Sequence, residues 1–303
     1  MTEQTNKQVL KADNIPQEAF DWYDDYAHGD MSRRRFVQLL ATLPVAGITL
    51  GTITSALTPN YALAEQVSFN HPGIRARYET FESPSSHKQG KGYWVAPKDV
   101  TEPLPAVLVV HENRGLNPYI KDVARRLALH GYVAFAPDAL HPLGGYPGND
   151  DEGRAMQRSL ERSDIEMDFM AAADWLKASS KTTSKVGVVG FCFGGYISNL
   201  LAATKADVIS AAVPYYGTPA SPELQARVKG PLLLHFAEMD KRVNATWPDY
   251  QAILDKHDVP YDAHVYAGAQ HGFHNDSTSR YSANDAELSW QRTLAFFDSQ
   301  LKS

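Results

Sequence analysis

Gly190-Phe191-Cys192-Phe193-Gly194-Gly195 places the chain's one cysteine in a G-x-nucleophile-x-G arrangement. A short apolar run, residues 186–189, precedes it, and a helix-forming stretch, residues 194–204, follows. In such a bend the central residue is strained, and bulky neighbours two residues to either side would clash. The helix start beneath it offers unpaired N–H groups and a positive dipole end. Both favour a thiolate, whose ordinary pKa of ~8.5 leaves little of it at neutral pH. The competing reading is a buried structural cysteine, a common fate for a free thiol. The elbow spacing favours the nucleophile.

A thiol nucleophile needs a base, and the base needs an orienting acid. Downstream, Leu232–Ala237 is followed by Glu238-Met239-Asp240, and Tyr261–Tyr266 by Gly268-Ala269-Gln270-His271-Gly272-Phe273. Asp240 and His271 stand where acid and base are expected, each after its own strand, with Gly272 letting the chain turn. Glu238 is a rival acid and His274 a rival base. His271, His274 and Asp276 together offer a metal-binding alternative. A fourth element is His111-Glu112-Asn113-Arg114-Gly115, directly after the apolar run 105–110. A loop in that place supplies an oxyanion-hole N–H. It is not a zincin motif, since H-E-x-x-H needs histidine where Gly115 stands. Glu112 and Arg114 also read as a local ion pair.

The elements that must hold these residues alternate. Strands are expected at 76–81, 93–96, 105–110, 132–136, 186–189, 208–213, 232–237 and 261–266. A Ser/Lys/Gly-rich loop, 83–92, separates the first two. Helices are expected at 117–130, 164–178, 194–204, 247–257 and 284–301. Residues 139–162, rich in Gly, Pro and charge, read as an excursion above the sheet. This order predicts an α/β fold with a mainly parallel, doubly wound sheet and helices on both faces. Ligands in such folds sit at the carboxyl ends of the strands, which is where the candidate residues fall.

The chain has 303 residues, 43% of them hydrophobic, with 29 Lys+Arg against 35 Asp+Glu and a net charge of -6. That mild acidity argues against a nucleic-acid partner, because phosphate binding needs a basic surface. A single cysteine excludes an intrachain disulfide and a multi-cysteine metal cluster. No cofactor is expected.

The first 64 residues read as an address, leaving 65–303 as the working domain. Residues 1–30 carry two lysines against seven acids, with too few apolar residues for a core. Ser32-Arg33-Arg34-Arg35-Phe36 then opens an uncharged stretch that closes on Ala62-Leu63-Ala64. The order resembles a twin-arginine export signal and implies a periplasmic or otherwise exported protein, cleaved after Ala64, with the export machinery as partner. A membrane anchor formed by residues 36–57 and a cytoplasmic location are the alternatives. The long acidic start is atypical, and translation from Met31 would give a short basic one.

Residues 70–303 resemble the dienelactone hydrolase family of α/β-hydrolases. The resemblance rests on the Glu112 loop, the cysteine-bearing elbow, Asp240 and His271-Gly272-Phe273. It implies a Cys192–His271–Asp240 triad, Glu112 as a partner that holds or releases the thiol, and an oxyanion hole of the Phe193 and Asn113 N–H groups. The implied reaction attacks a lactone or ester carbonyl, forms a thioester at Cys192 and releases it by water. Members commonly hold a substrate carboxylate with two arginines. At the corresponding places this chain has Asp138-Ala139-Leu140 and Asn275. Arg114 or Arg154 would have to substitute, and Tyr146 in the loop 142–149 is a further candidate substrate contact. The alternative function on the same fold is a non-catalytic ligand-binding or thiol-sensing protein.

Overall fold

The computed structural model describes residues 15–43, 50–57 and 59–303. Part of the uncharged stretch read as a signal or anchor, residues 44–49, lies outside the described residues. Among the described residues no helix is long and apolar enough to cross a membrane.

Helices α1 (Gln17–His28), α2 (Arg33–Leu40), α3 (Leu50–Leu57) and α4 (Tyr61–Ala64) precede an eight-stranded sheet. Strands β1 (Ile74–Ser83) and β2 (Lys88–Pro97) form an antiparallel hairpin. Then follow β3 (Leu104–Val110), α5 (Pro118–Leu129), β4 (Val133–Pro137), α6 (Asp150–Ser159), α7 (Arg162–Ala178), β5 (Thr182–Phe191) and α8 (Phe193–Thr204). The chain closes with β6 (Ile209–Tyr215), α9 (Pro222–Gln225), β7 (Leu232–Ala237), α10 (Lys241–Asn244), α11 (Trp247–Lys256), β8 (Tyr261–Tyr266) and α12 (Ala283–Leu301). The strand order is β1-β2-β4-β3-β5-β6-β7-β8, and all pairs from β4 to β8 are parallel. This is the mainly parallel sheet that the alternation predicts, in the α/β-hydrolase architecture that the resemblance implies.

Period-two alternation explains why the central strands are apolar on both faces. In β3, Ala106, Leu108 and Val110 join a core shared with Ile165 and Phe169 of α7 and Leu201 of α8. Val107 and Val109 point the other way, to Ile120 and Val123 of α5 and Phe297 of α12. Each fully buried aliphatic side chain contributes ~1.5–3 kcal/mol. Asn117 caps α5 by accepting from the Ile120 N–H at 3.1 Å, with Pro118 in the first turn, where a missing N–H costs nothing.

Three expectations are corrected. The loop expected at 83–92 is mostly strand, because β1 and β2 run on in register until Ser83 faces Lys88. Within the excursion 139–162, residues 150–159 form α6, capped by Asn149 accepting from the Glu152 N–H at 3.0 Å. Residues 15–30, the described part of the acidic start, are not too polar to pack. Ala19, Phe20, Tyr23, Tyr26 and Ala27 recur at helical spacing and bury in one cluster with Phe36 and Leu40 of α2 and Ile53 and Leu57 of α3. The Tyr26 and Phe36 rings stack at 5.1 Å within it.

Candidate active site

Cys192 has φ 57° and ψ -112° and caps α8, directly after β5. The Cys192 N–H donates to the Tyr215 carbonyl at 3.1 Å, which ties the bend to β6. The glycines permit this turn: a Cβ on Gly190 would strike the Gly194 carbonyl, and one on Gly194 the Val110 carbonyl. Sγ therefore stands over the first turn of α8, where the N–H groups have no intrahelical partner.

Asp240 follows β7 and caps α10, accepting from the Val243 N–H at 3.1 Å. His271 follows β8, and Gly272 after it takes a left-handed φ of 85°. The His271 Nδ1–H donates to Asp240 Oδ2 at 2.5 Å. Its Nε2 is buried with no hydrogen-bond partner among the described residues, and a ring nitrogen of His271 lies within 4.8 Å of Cys192 Sγ. The ring of Tyr216 backs His271 at 5.0 Å between centroids. Neither rival competes. Glu238 accepts from the Gly268 N–H at 2.8 Å, His274 Nδ1 pairs with the Tyr119 hydroxyl at 2.7 Å, and Asp276 pairs with Arg126 at 2.8 Å.

The electrostatics separate charge. Burial alone would push the Cys192 thiol up, but the imidazoles of His271 and His28 outweigh it and hold the thiol well below its usual range. Burial would lower His271; Asp240 and Cys192 prevail and raise it to about 10. Burial likewise opposes ionisation of Asp240, yet His271 and the Val243 N–H bring it down to about 2. The favoured state is a thiolate beside an imidazolium beside a carboxylate.

Glu112, 1% exposed, accepts from Asn275 Nδ2 at 3.0 Å and lies 3.5 Å from Arg114. Burial raises its pKa, Arg114 lowers it and Cys192 raises it again, with a net rise. Arg114 is committed inward, to Glu112 and to Asp150 at 2.8 Å. Tyr146 donates to Asp150 at 2.8 Å and lines a separate recess with Asp138 and His141. The polar atoms of both are engaged with the buried Asp150. Arg154 does line the cavity that contains Cys192, as do Asn113 and Phe193, the residues expected to form the oxyanion hole. That cavity measures about 310 Å³.

Two site residues escaped the sequence reading. His28, at the end of α1, has Nε2 3.4 Å from Cys192 Sγ and 3.0 Å from Arg242 Nη2, while its Nδ1–H donates to the Asp24 carbonyl at 2.8 Å. Arg280, 4% exposed, contributes positive potential at Glu112 and pairs with Asp24 at 2.5 Å. His28, His271 and Cys192 bring three ligand atoms within 4.8 Å of one another. Each imidazole has its Nδ1 fixed by an oxygen acceptor, as metal-bound histidines do. A Cys-His-His set suits a zinc-like ion, although the neighbouring Arg242 cation opposes it.

Comparison with known proteins decides the family. Residues 91–301 match the model described as "Dienelactone hydrolase family". The chain belongs to the dienelactone hydrolase family. A second model, described as YqhI-like, matches residues 7–46. Protein usf of Aquifex pyrophilus is 34% identical over 79% of this chain and 100% of its own length. A protein of Aquifex aeolicus, named as an inferred carboxymethylenebutenolidase, is 32% identical over the same shares. A crystal structure named as an inferred dienelactone hydrolase from Klebsiella pneumoniae superimposes with a TM-score of 0.64 at 26% identity, covering 74% of this chain and 98% of that one. The protein is accordingly a hydrolase of the carboxymethylenebutenolidase type, acting on a lactone or ester.

Proposed function

We propose that the enzyme opens a compact lactone or ester by nucleophilic attack of Cys192, with His271 and Asp240 completing a triad. The supporting observation is His271 itself, held at 2.5 Å by Asp240 on Nδ1, with Nε2 unpartnered among the described residues and the ring within reach of Sγ. The Cys192 thiolate attacks the carbonyl carbon and forms an S–C bond. The resulting oxyanion is met by the N–H groups of Phe193 and Asn113. Collapse breaks the C–O bond, and the imidazolium of His271 gives its proton to the leaving oxygen. His271 then takes a proton from water, whose oxygen attacks the thioester and frees the acid and the thiolate. Glu112, buried beside the thiol, tunes the negative charge there. No cofactor enters this sequence.

The test compares wild type with Cys192→Ala on p-nitrophenyl acetate and simple enol-lactones. Loss of turnover in the variant supports the reading. Equal turnover removes Cys192 from the mechanism.

The export proposal rests on Ser32-Arg33-Arg34-Arg35-Phe36 and on the Arg33 side chain, which is 71% exposed and so readable on the folded protein. The packing of α1 favours a working enzyme that keeps residues 17–28. Sequencing the N-terminus of protein recovered from the periplasm separates the two readings. A start at Glu65 supports removal of residues 1–64, and a start at or before Gln17 supports retention.

A further inference from the structure

Polar groups of the hydrolase body meet α1 directly. Asn113 Nδ2 donates to the Ala27 carbonyl at 2.6 Å. Arg280 donates to Asp24. The Arg154 guanidinium lies over the Tyr26 ring at 5.0 Å and the Tyr23 ring at 5.9 Å, and Arg280 lies over Tyr23 at 4.8 Å. Arg154 and Arg280 are 3% and 4% exposed. Arg154 also pairs with Asp151 of α6, whereas the ion pair of Arg280 is made to α1. A buried cation left without its partner is costly, so Arg280 ties the seat of α1 to the body.

That seat is above the thiol. The last turn of α1 puts Ala27 and His28 on one wall of the cavity holding Cys192. The same cavity is lined by Leu160 between α6 and α7, by Arg162 and Ile165 of α7, and by Phe193 and Tyr196 of α8. A second cavity of about 290 Å³ is lined by Asp21, Asp24, Asp25 and His271. His28 and Arg242 line both cavities, so the His28 ring stands between them. It is held in that role by the Asp24 carbonyl, by Arg242 and by edge-on contact with the His271 ring at 5.1 Å. Gly29, with φ 93°, ends α1 directly after His28.

We propose that α1 is the roof of the substrate pocket and that His28 is a specificity-determining residue, the stop that limits the acyl group reaching Cys192 to a compact one. A cavity of about 310 Å³ sits at the small end of ligand sites, which suits a small lactone and excludes a long acyl chain. The proposal rests on the reading of Cys192 as nucleophile. Its test therefore includes a readout that needs no hydrolysis.

Full-length wild type, His28→Ala and His28→Phe are compared on p-nitrophenyl acetate and p-nitrophenyl octanoate. Cys192 is also alkylated with iodoacetamide and with the bulkier N-phenylmaleimide. Ratios are read, because a change in thiolate fraction affects both members of each pair equally. In His28→Ala the octanoate-to-acetate ratio of kcat/KM rises at least about tenfold, and the bulky-to-small alkylation ratio rises with it. His28→Phe, which refills the space without the nitrogens, keeps both ratios near wild type. Unchanged ratios in His28→Ala overturn the proposal, as does an equal rise in His28→Phe. If no ester is turned over by any of the proteins, the hydrolytic reading fails, while the alkylation ratio still decides whether His28 limits access.

Discussion

Nδ1 of His271 lies 2.5 Å from Oδ2 of Asp240, although the two residues follow different strands of the sheet. The contact fixes the ring so that Nε2 is the nitrogen left for chemistry. Asp240→Asn keeps the shape but favours the wrong tautomer. It is expected to lower kcat by ~10⁴-fold with little change in fold, measured by steady-state hydrolysis of p-nitrophenyl acetate beside circular dichroism. Activity within tenfold of wild type would show that Asp240 does not orient the base.

The same pair sets a pH dependence of stability. Asp240 titrates at about 2 in the folded chain against an ordinary 3.8, so its contribution is present above 3.8 and is lost as pH falls through about 2. His271 is raised from 6.5 to about 10, so its contribution is complete below 6.5 and is lost as pH rises through about 10. Thermal melting of wild type minus Asp240→Asn should give a difference that shrinks in both windows. A difference constant from pH 2 to 10 contradicts the ion pair.

Cys192 reactivity should follow its lowered thiol pKa. The acid limb of iodoacetamide alkylation is expected to have its midpoint well below the ordinary thiol value of ~8.5, because His271 and His28 outweigh burial. In His271→Ala that midpoint moves up. A wild-type midpoint at or above ~8.5 would mean that burial wins.

Much of this site was legible because motif residues follow apolar strands. The runs over β7 and β8 have the observed bounds, and Asp240 and His271 come directly after them. The two missed residues share a physical cause. Arg280 pairs with Asp24 across 256 positions, a contact that no local pattern announces. His28 sits in a segment whose seven acids hide the apolar stripe from Ala19 to Ala27. The α6 helix was obscured in the same way, by the charge of its first turn. A sequence does not show that Asp150 takes the hydrogen bonds of Tyr146 and Arg114.

Glu112 is buried against Arg114 and Asn275. Glu112→Ala is expected to destabilise the fold by about 3 kcal/mol, since it removes one partner of a buried pair while Asp150 keeps the other. Urea unfolding measures this. A loss below about 0.5 kcal/mol, the level of an ordinary surface change, would show that the pair carries no stability.

Added zinc should inhibit through the cluster of His28, Cys192 and His271, while EDTA alone should leave turnover intact. Removing a ligand by His28→Ala should raise the inhibitory zinc concentration about tenfold or more. Inhibition of equal strength in wild type and His28→Ala would place the ion elsewhere.

The central claim is that the Cys192 sulfur carries the acyl group during turnover. Rapid acid quench of enzyme mixed with p-nitrophenyl acetate, followed by peptide mass spectrometry, reads this directly. The account predicts an acetyl group on the peptide containing Cys192, absent in Cys192→Ala. Steady turnover with that peptide unmodified at every quench time, and an acyl group on another residue or on none, would contradict it.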